Sequence, residues 1–391
     1  MAERQAVGLV IAGAGARGAF EAGAISALLP RLEEAELRPR VLLGTSAGSI
    51  NAAYLAAHLH LGAKGAADGL VGFWRSLNKP DLMGSLACTA LPALLGYAGR
   101  IAYLKTGKGS IAGFGRFSEV LDEAVGDWDQ IQANIEAGEL DAVGLVATAA
   151  AGGGSVVFTQ GPAGVALPGL DKENGIRYVR ARLGADHVIA SSSIPVFFPP
   201  RKVDEPPEAS GWYWDGGVRI NTPITPALAI GVDRLVIVAT DPPRHPPPEA
   251  AGDGEEPDFD DALLSVFQAT LNDPLIEDLH SLVRVNNLLA ASGRQELNGR
   301  RPYEYIFAGP ERHGTIGQTA AEVLRERFGG ALRALDDFAI LNRLLGRQGQ
   351  QEAELQSYLL FDSEFIDRLI AIGHEAGEGA WRRGWLKDRL P

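Results

Sequence analysis

Two apolar segments near the start of the chain are each followed directly by a glycine-rich turn and a run of small residues. The first stretch reads VGLVIAGAGARGAF and the second reads VLLGTSAGSINAAYLAAH. An apolar run of strand length, a tight turn and an Ala-rich helix, in that order, predict a strand–turn–helix unit. Two successive units of this kind predict an α/β fold.

The predicted elements continue to alternate along the chain. We expect strands at 7–12, 41–44, 142–147, 156–159 and 235–239, and helices at 18–29, ended by Pro30, and at 47–61. This alternation predicts a parallel or mixed sheet with helices on both faces. The segment 241–261 combines six prolines with many acids and is predicted to be a solvated loop or linker. After it, the chain is predicted to be mainly helical from 262 to 385.

The glycines at 13, 15 and 18 fit the G-x-G-x-x-G pattern of a dinucleotide-binding loop. That function also needs an acidic residue at the end of the second strand, where it binds the ribose hydroxyls. Here the second strand ends in Gly44, Thr45 and Ser46, and the acids at 33, 34 and 36 precede the strand. The sequence therefore disfavours a nucleotide-binding oxidoreductase, and no cofactor is expected.

The sequence GTSAG at 44–48 is a G-x-S-x-G motif between an apolar strand and an Ala-rich helix. Gly44 and Gly48 permit a sharp turn that presents Ser46 above the sheet as a nucleophile. An attacking serine needs donors for the oxyanion, and the amides near Ala14–Gly15 and of Ala47 could supply them. Two plainer interpretations stay open: Ser46 as a helix N-cap, and the glycine loop as a turn for close packing.

A general base for Ser46 is harder to find. The order Ser, Asp, His of an α/β-hydrolase triad leaves His245, His280, His313 and His374 as candidates, but that fold places several strands before the nucleophile strand. Here only one strand is predicted there, and none of these histidines has an obvious strand-end setting. Asp215, before Gly216 and Gly217, is the better candidate, although Asp-Gly-Gly is also an ordinary turn. The aromatic residues at 212–214 are expected to shield its carboxylate from water.

Four blocks together resemble the patatin-like phospholipases. They are GAGARG at 13–18, GTSAG at 44–48, ASSSIPVFFPP at 190–200 and DGGVRINTP at 215–223, and they occur in the order found in that family. The resemblance covers about 10–240 and is more specific than any single block. The family loop usually has three consecutive glycines, whereas Ala14 is the middle residue here. The backbone amide at this position is present with alanine as it is with glycine.

The resemblance implies a three-layer α/β/α domain with a mainly parallel central sheet, at 1–240, and a helical C-terminal extension at 262–391. It also implies a Ser–Asp dyad without histidine, in which Ser46 is the nucleophile and Asp215 the general base. The oxyanion hole would be formed by Gly13, Ala14, Gly15 and Ala47, with Arg17 and Gly18 supporting the loop. Gly44, Gly48, Gly216 and Gly217 would shape the elbow and the turn.

The implied function is a lipid acyl hydrolase of the phospholipase A or lysophospholipase type, acting through an acyl-enzyme. The alternatives are an esterase, thioesterase or acyltransferase on another acyl substrate, and a catalytically silent binding protein. A net charge of −13 without a basic cluster argues against nucleic acid as a partner. No metal site is expected, and the sequence does not indicate an oligomeric state.

The N-terminus lacks the features of a signal peptide, so a cytoplasmic chain is expected. The apolar, glycine-containing stretch 82–104 is expected to be either a movable cover, with peripheral contact to a membrane, or a buried packing segment. The single cysteine, Cys88, has no partner for an internal disulfide and is expected to be a packing residue.

Overall fold

The computed structural model describes residues 6–77, 116–195, 197–245, 259–296, 301–328 and 350–391. Nine strands from these residues form one sheet. They are β1 (Val7–Ile11), β2 (Pro39–Thr45), β3 (Ala142–Ala149), β4 (Ser155–Gln160), β5 (Ile176–Arg180), β6 (Arg201–Val203), β7 (Gly211–Asp215), β8 (Arg234–Val238) and β9 (Glu304–Ala308).

The sheet is mixed, with a parallel centre. Its main order is β5-β4-β3-β2-β1-β8-β9, and β7 pairs with both β3 and β6. The strands β3, β2, β1, β8 and β9 are parallel to their neighbours in that order, and β4 and β5 are parallel to each other. The pairs β3–β4, β3–β7 and β6–β7 are antiparallel. The predicted strand positions are confirmed, with ends that differ by one or two residues.

The described helices are α1 (Gly18–Glu34), α2 (Ala47–His58), α3 (Gly62–Ser76), α4 (Phe117–Val125), α5 (Asp129–Glu136), α6 (Ala185–Ser191), α7 (Ile224–Ile230), α8 (Phe259–Ser292), α9 (Thr315–Phe328), α10 (Gln350–Ser357) and α11 (Ser363–Arg383). Short 3-10 turns include Gly15–Arg17 before α1 and Gly216–Val218 after β7.

Side-chain alternation along the central strand explains the three layers. In β1, Val7, Leu9 and Ile11 belong to one buried cluster, together with residues of α1, α2 and α3. Val10 belongs to a second cluster, which includes residues of α7 and α8. Because successive strand residues point to opposite faces, the sheet has an apolar layer on each side. The expected α/β/α architecture is confirmed.

Helix α1 continues through Pro30 to Glu34, so the prediction that Pro30 ends it is wrong. A proline inside a helix removes one backbone hydrogen bond and crowds the preceding turn. The residues beyond it compensate by burial, since Leu32 is almost fully buried in the core cluster. Tertiary packing thus outweighs the local preference at this position.

The C-terminal helices are present as expected, and this region also contributes β9, which the prediction of a mainly helical region omitted. The strand β9 pairs in parallel with β8. Helix α11 packs closely on α1, because a Cβ at Gly373 would overlap the carbonyl of Phe20, and one at Gly23 would overlap that of Ile370. Glycines on both helices therefore allow backbone contact between the N-terminal and C-terminal parts of the chain.

Several expectations concern residues outside the described ranges. These are the stretch 82–104, Cys88 and most of the acidic, proline-rich segment, 246–258. Within the described ranges, no helix is both long enough and apolar enough to cross a bilayer.

Candidate active site

Strand β3 brings the two predicted dyad residues together. Its residue Val146 lies beside Thr45 at the end of β2, and the next residue, Ala147, lies beside Asp215 at the end of β7. Ser46 follows Thr45 directly. The serine and the aspartate therefore meet at one edge of the sheet although they are far apart in the sequence.

Ser46 occupies the sharp turn between β2 and α2 with φ 53° and ψ −123°. This is a strained conformation for a residue with a side chain, and such strain is concentrated at functional sites. The flanking glycines are required by close packing: a Cβ at Gly44 would overlap the carbonyl of Gly48, and one at Gly48 would overlap those of Ile11 and Ala12. The Ser46 side chain makes no capping hydrogen bond to α2. The N-cap interpretation is therefore wrong.

A serine-rich segment fixes the backbone on both sides of the site. The Ser46 amide donates to Ser191 Oγ at 2.9 Å, and that hydroxyl donates to the Val146 carbonyl at 2.5 Å. The Asp215 amide donates to the Ser193 carbonyl at 2.9 Å. The serines of the ASSS run thus hold the backbone of both predicted dyad residues. The only indication of this role in the sequence was a polar run within an otherwise apolar region.

The Asp215 carboxylate is buried, with an exposed fraction of 3%. Its Oδ1 accepts a hydrogen bond from the Gly217 amide at 2.6 Å. Burial raises the pKa of Asp215 to about 7, while the Ser46 hydroxyl and the Gly217 amide lower it. Oδ2 has no partner of ordinary hydrogen-bond geometry in the described part of the chain.

The aromatic residues before Asp215 do not all shield it. Tyr213 is buried and donates from its hydroxyl to the Ala209 carbonyl, whereas Trp212 is 55% exposed. The expectation for Trp212 is wrong because neighbouring strand residues point to opposite faces, and only Tyr213 shares a face with Asp215. The closely packed ends of β2 and β3 cover the turn instead, since a Cβ at Gly216 would overlap the Val146 carbonyl.

The glycine loop lies against the nucleophile, since a Cβ at Gly13 would be 3.2 Å from the Ser46 Cβ. The Gly13 amide donates to the Asn221 carbonyl and the Ala16 amide to the Tyr358 carbonyl, each at 2.8 Å. Across the described ranges, the amides of Ala14 and Gly15 have no backbone acceptor. Of the loop donors expected for an oxyanion, Ala14 and Gly15 therefore remain available, whereas Gly13 is already engaged.

Arg17 connects this loop to the C-terminal region. Its side chain is 1% exposed and donates to Ser357 Oγ at 2.6 Å and to the Glu354 carbonyl at 2.7 Å. It also forms a closer ion pair with the Glu354 carboxylate, and Asp241 lies 3.7 Å away. The guanidinium lies 3.8 Å from the centre of the Tyr358 ring. These contacts join the loop to the C-terminal region, and the partners of Arg17 could not be identified from the sequence.

A mainly apolar pocket opens at Ser46 and is partly open to solvent. The lining residues are Gly15, Ser46, Ala47, Ile50, Trp74, Leu77, Phe117, Ser192, Ile194, Phe198, Tyr358 and Phe361. No histidine is among these lining residues of the described chain.

Two buried polar side chains, Asn51 and Glu21, support the wall formed by Trp74. The Trp74 indole donates to Asn51 Oδ1 at 2.7 Å, and Asn51 Nδ2 donates to Glu21 Oε2 at 2.9 Å. Burial raises the pKa of Glu21 well above its usual value, although the Asn51 bond lowers it. Gly18 allows the indole to approach, because a Cβ there would overlap the ring. Sequence analysis missed this network, and the only signal was an acid within the apolar sequence of α1.

Among the described residues, no group of three His, Cys, Asp or Glu side chains is arranged to hold a metal ion.

A family model described as patatin-like phospholipase matches residues 9–228. The crystal structure of VipD from Legionella pneumophila is similar, with a TM-score of 0.37 and 13% identity, over 98% of this chain and 68% of that one. No curated protein matches the chain significantly.

Proposed function

Because the chain belongs to the patatin-like phospholipase family, a family of lipid acyl hydrolases, we propose that it cleaves fatty-acyl esters of phospholipids or lysophospholipids through Ser46 and Asp215. One observation carries this proposal. Ser46 lies in a strained turn and its side chain makes no capping hydrogen bond to the helix. It is next to the buried Asp215 carboxylate and lines an apolar pocket. An apolar pocket suits a fatty-acyl chain, and the buried carboxylate suits proton transfer from the serine.

In the proposed first step, Ser46 Oγ attacks the ester carbonyl carbon while its proton passes to Asp215. The carbonyl oxygen becomes an oxyanion, which accepts hydrogen bonds from the amides of Ala14, Gly15 and Ala47. The tetrahedral intermediate collapses, and the alcohol leaves with the proton held by Asp215. Water then attacks the acyl-enzyme with Asp215 again as base, and the fatty acid and free Ser46 are released.

Burial of Asp215 serves this chemistry because a carboxylate of ordinary pKa is a weak base. We propose that the chain reaches the lipid surface through peripheral contact. Trp212, three residues before Asp215, presents an exposed aromatic side chain of the kind that lies well at a membrane interface.

We test the proposal by combining lipid hydrolysis with active-site labelling. Fatty-acid release is measured from phospholipids, lysophospholipids and simple esters, and a fluorophosphonate probe is mapped to its modified residue. We expect release from at least one lipid class and labelling at Ser46. Labelling without lipid hydrolysis, but with cleavage of a thioester or simple ester, would mean that the same chemistry acts on another acyl substrate. Absence of labelling would contradict the hydrolase function.

The pH dependence follows from the pKa of Asp215. Since the ionised carboxylate is the base and its pKa is raised to about 7, kcat/KM for a soluble ester should increase with pH through about 7 and level off above it. Initial rates at sub-saturating ester across neutral pH measure this. A profile already flat well below neutrality would mean that the base has an ordinary pKa, and would contradict the role given to burial.

A further inference from the structure

Residues 354–361, the wall segment, lie far beyond the matched family domain, which ends at 228, yet they form part of the pocket at Ser46. Tyr358 and Phe361 are the two lining residues from this segment. The other apolar side chains of the lining come from the N-terminal two hundred residues. The pocket is therefore completed by a part of the chain outside the family domain.

The wall segment is attached to the glycine loop through both backbone and side chains. The Tyr358 carbonyl accepts the Ala16 amide at 2.8 Å, and Gly15 leaves no space for a Cβ against the same carbonyl. Arg17 contacts the Tyr358 ring and is hydrogen-bonded to Ser357. The position of Tyr358 is thus fixed relative to the loop beside the nucleophile.

The other end of the wall segment is also held. Asp362, the next residue, caps helix α11 by accepting from the amides of Glu364 at 3.0 Å and Phe365 at 3.3 Å. It also pairs with Arg327 at 2.7 Å. Phe361 is partly buried against the main core cluster. Anchoring on both sides makes its ring a fixed surface of the pocket.

We propose that Tyr358 and Phe361 determine the size of the acyl group that the pocket accepts. This inference rests on the proposed acyl hydrolase function and specifies its substrate range. A fixed aromatic wall restricts the space available to the chain, and a mismatch of a single methylene in an apolar pocket changes selectivity about tenfold or more. Phe361 is the better residue to vary, because Tyr358 also holds the glycine loop.

The test measures binding separately from turnover. In Ser46→Ala protein, the affinity for saturated fatty acids of medium to long chain is compared with that of Ser46→Ala/Phe361→Ala and Ser46→Ala/Phe361→Trp. We expect Phe361→Ala to shift the preferred length upward and Phe361→Trp to shift it downward, each changing the long-to-medium affinity ratio about tenfold. Opposite shifts would not arise from a general loss of stability.

Leu359→Val in the same Ser46→Ala background is the matched control, since Leu359 belongs to the wall segment and is buried in the core but is not among the lining residues of the pocket. Its length preference should remain that of the parent. Equal profiles for the Ala, Trp and control proteins would overturn the proposal. Ester hydrolysis by protein with Ser46 intact is measured in parallel. Length-selective binding without ester hydrolysis would contradict the proposed function but support this inference, whereas hydrolysis with equal length profiles would contradict this inference alone.

Discussion

Ser46→Ala is expected to reduce ester hydrolysis by a factor on the order of 10⁴ to 10⁶, the range found when a catalytic serine is removed from other hydrolases. The change removes the attacking oxygen but leaves the pocket and the amides of the glycine loop. Substrate binding should therefore persist while kcat falls. Steady-state kinetics on a soluble ester, with near-ultraviolet circular dichroism to confirm folding, measure this effect.

Ser192 provides the discriminating comparison, because it is the other serine among the described residues that line the pocket, and its hydroxyl donates to the Val188 carbonyl at 2.9 Å. If Ser192→Ala abolished hydrolysis and fluorophosphonate labelling while Ser46→Ala did not, the nucleophile would be misassigned. Substantial hydrolysis by Ser46→Ala alone would also contradict the proposed mechanism.

Asp215→Asn is expected to lower kcat/KM by about 10²- to 10⁴-fold and, at the same time, to stabilise the protein at alkaline pH. An amide cannot accept the Ser46 proton, which explains the loss of activity. Its side-chain oxygen can still accept the Gly217 amide, so the turn is retained. The gain in stability arises because the buried negative charge is removed.

The sign of the stability effect follows from the raised pKa. Below the unfolded pKa of about 4, Asp215 is neutral in both the folded and the unfolded state. Its ionisation should then cause no difference in the free energy of unfolding between the aspartate and asparagine proteins. Between about pH 4 and the folded pKa of about 7, the unfolded carboxylate is ionised while the buried native one stays protonated. The native aspartate protein therefore loses stability as the pH rises, and the loss is complete above about 7. By about pH 8 the substitution should raise the free energy of unfolding by roughly 2–4 kcal/mol.

Urea unfolding at acidic and alkaline pH measures this difference. Asp68→Asn is the matched control, because Asp68 is exposed in an ion pair with Lys64 and should change stability by no more than about 0.5 kcal/mol at either pH. Equal or lower stability of Asp215→Asn at alkaline pH would show that the native carboxylate is stabilised rather than destabilised by its surroundings.

The central strands and the elbow could be predicted because they depend on local patterns. Apolar runs of strand length identified β1 and β2, and GTSAG identified the turn at Ser46. The extension of α1 beyond Pro30 and the pairing of β9 with β8 could not be predicted, since both depend on burial against distant segments. The same is true of Glu354 and Tyr358, which reach Arg17 only after the chain has folded back. In these cases the stabilising contacts leave no periodicity in the sequence.

The register of β3 has a further consequence for how the chain can vary. Thr45, the residue before Ser46, and Asp215 lie beside two adjacent residues of this strand, so the length of chain between Ser46 and Asp215 does not set their separation. Surface segments in that interval can be lengthened or exchanged at a cost that rises only slowly with length. Peripheral segments that shape the pocket can therefore be exchanged without moving Ser46 relative to Asp215.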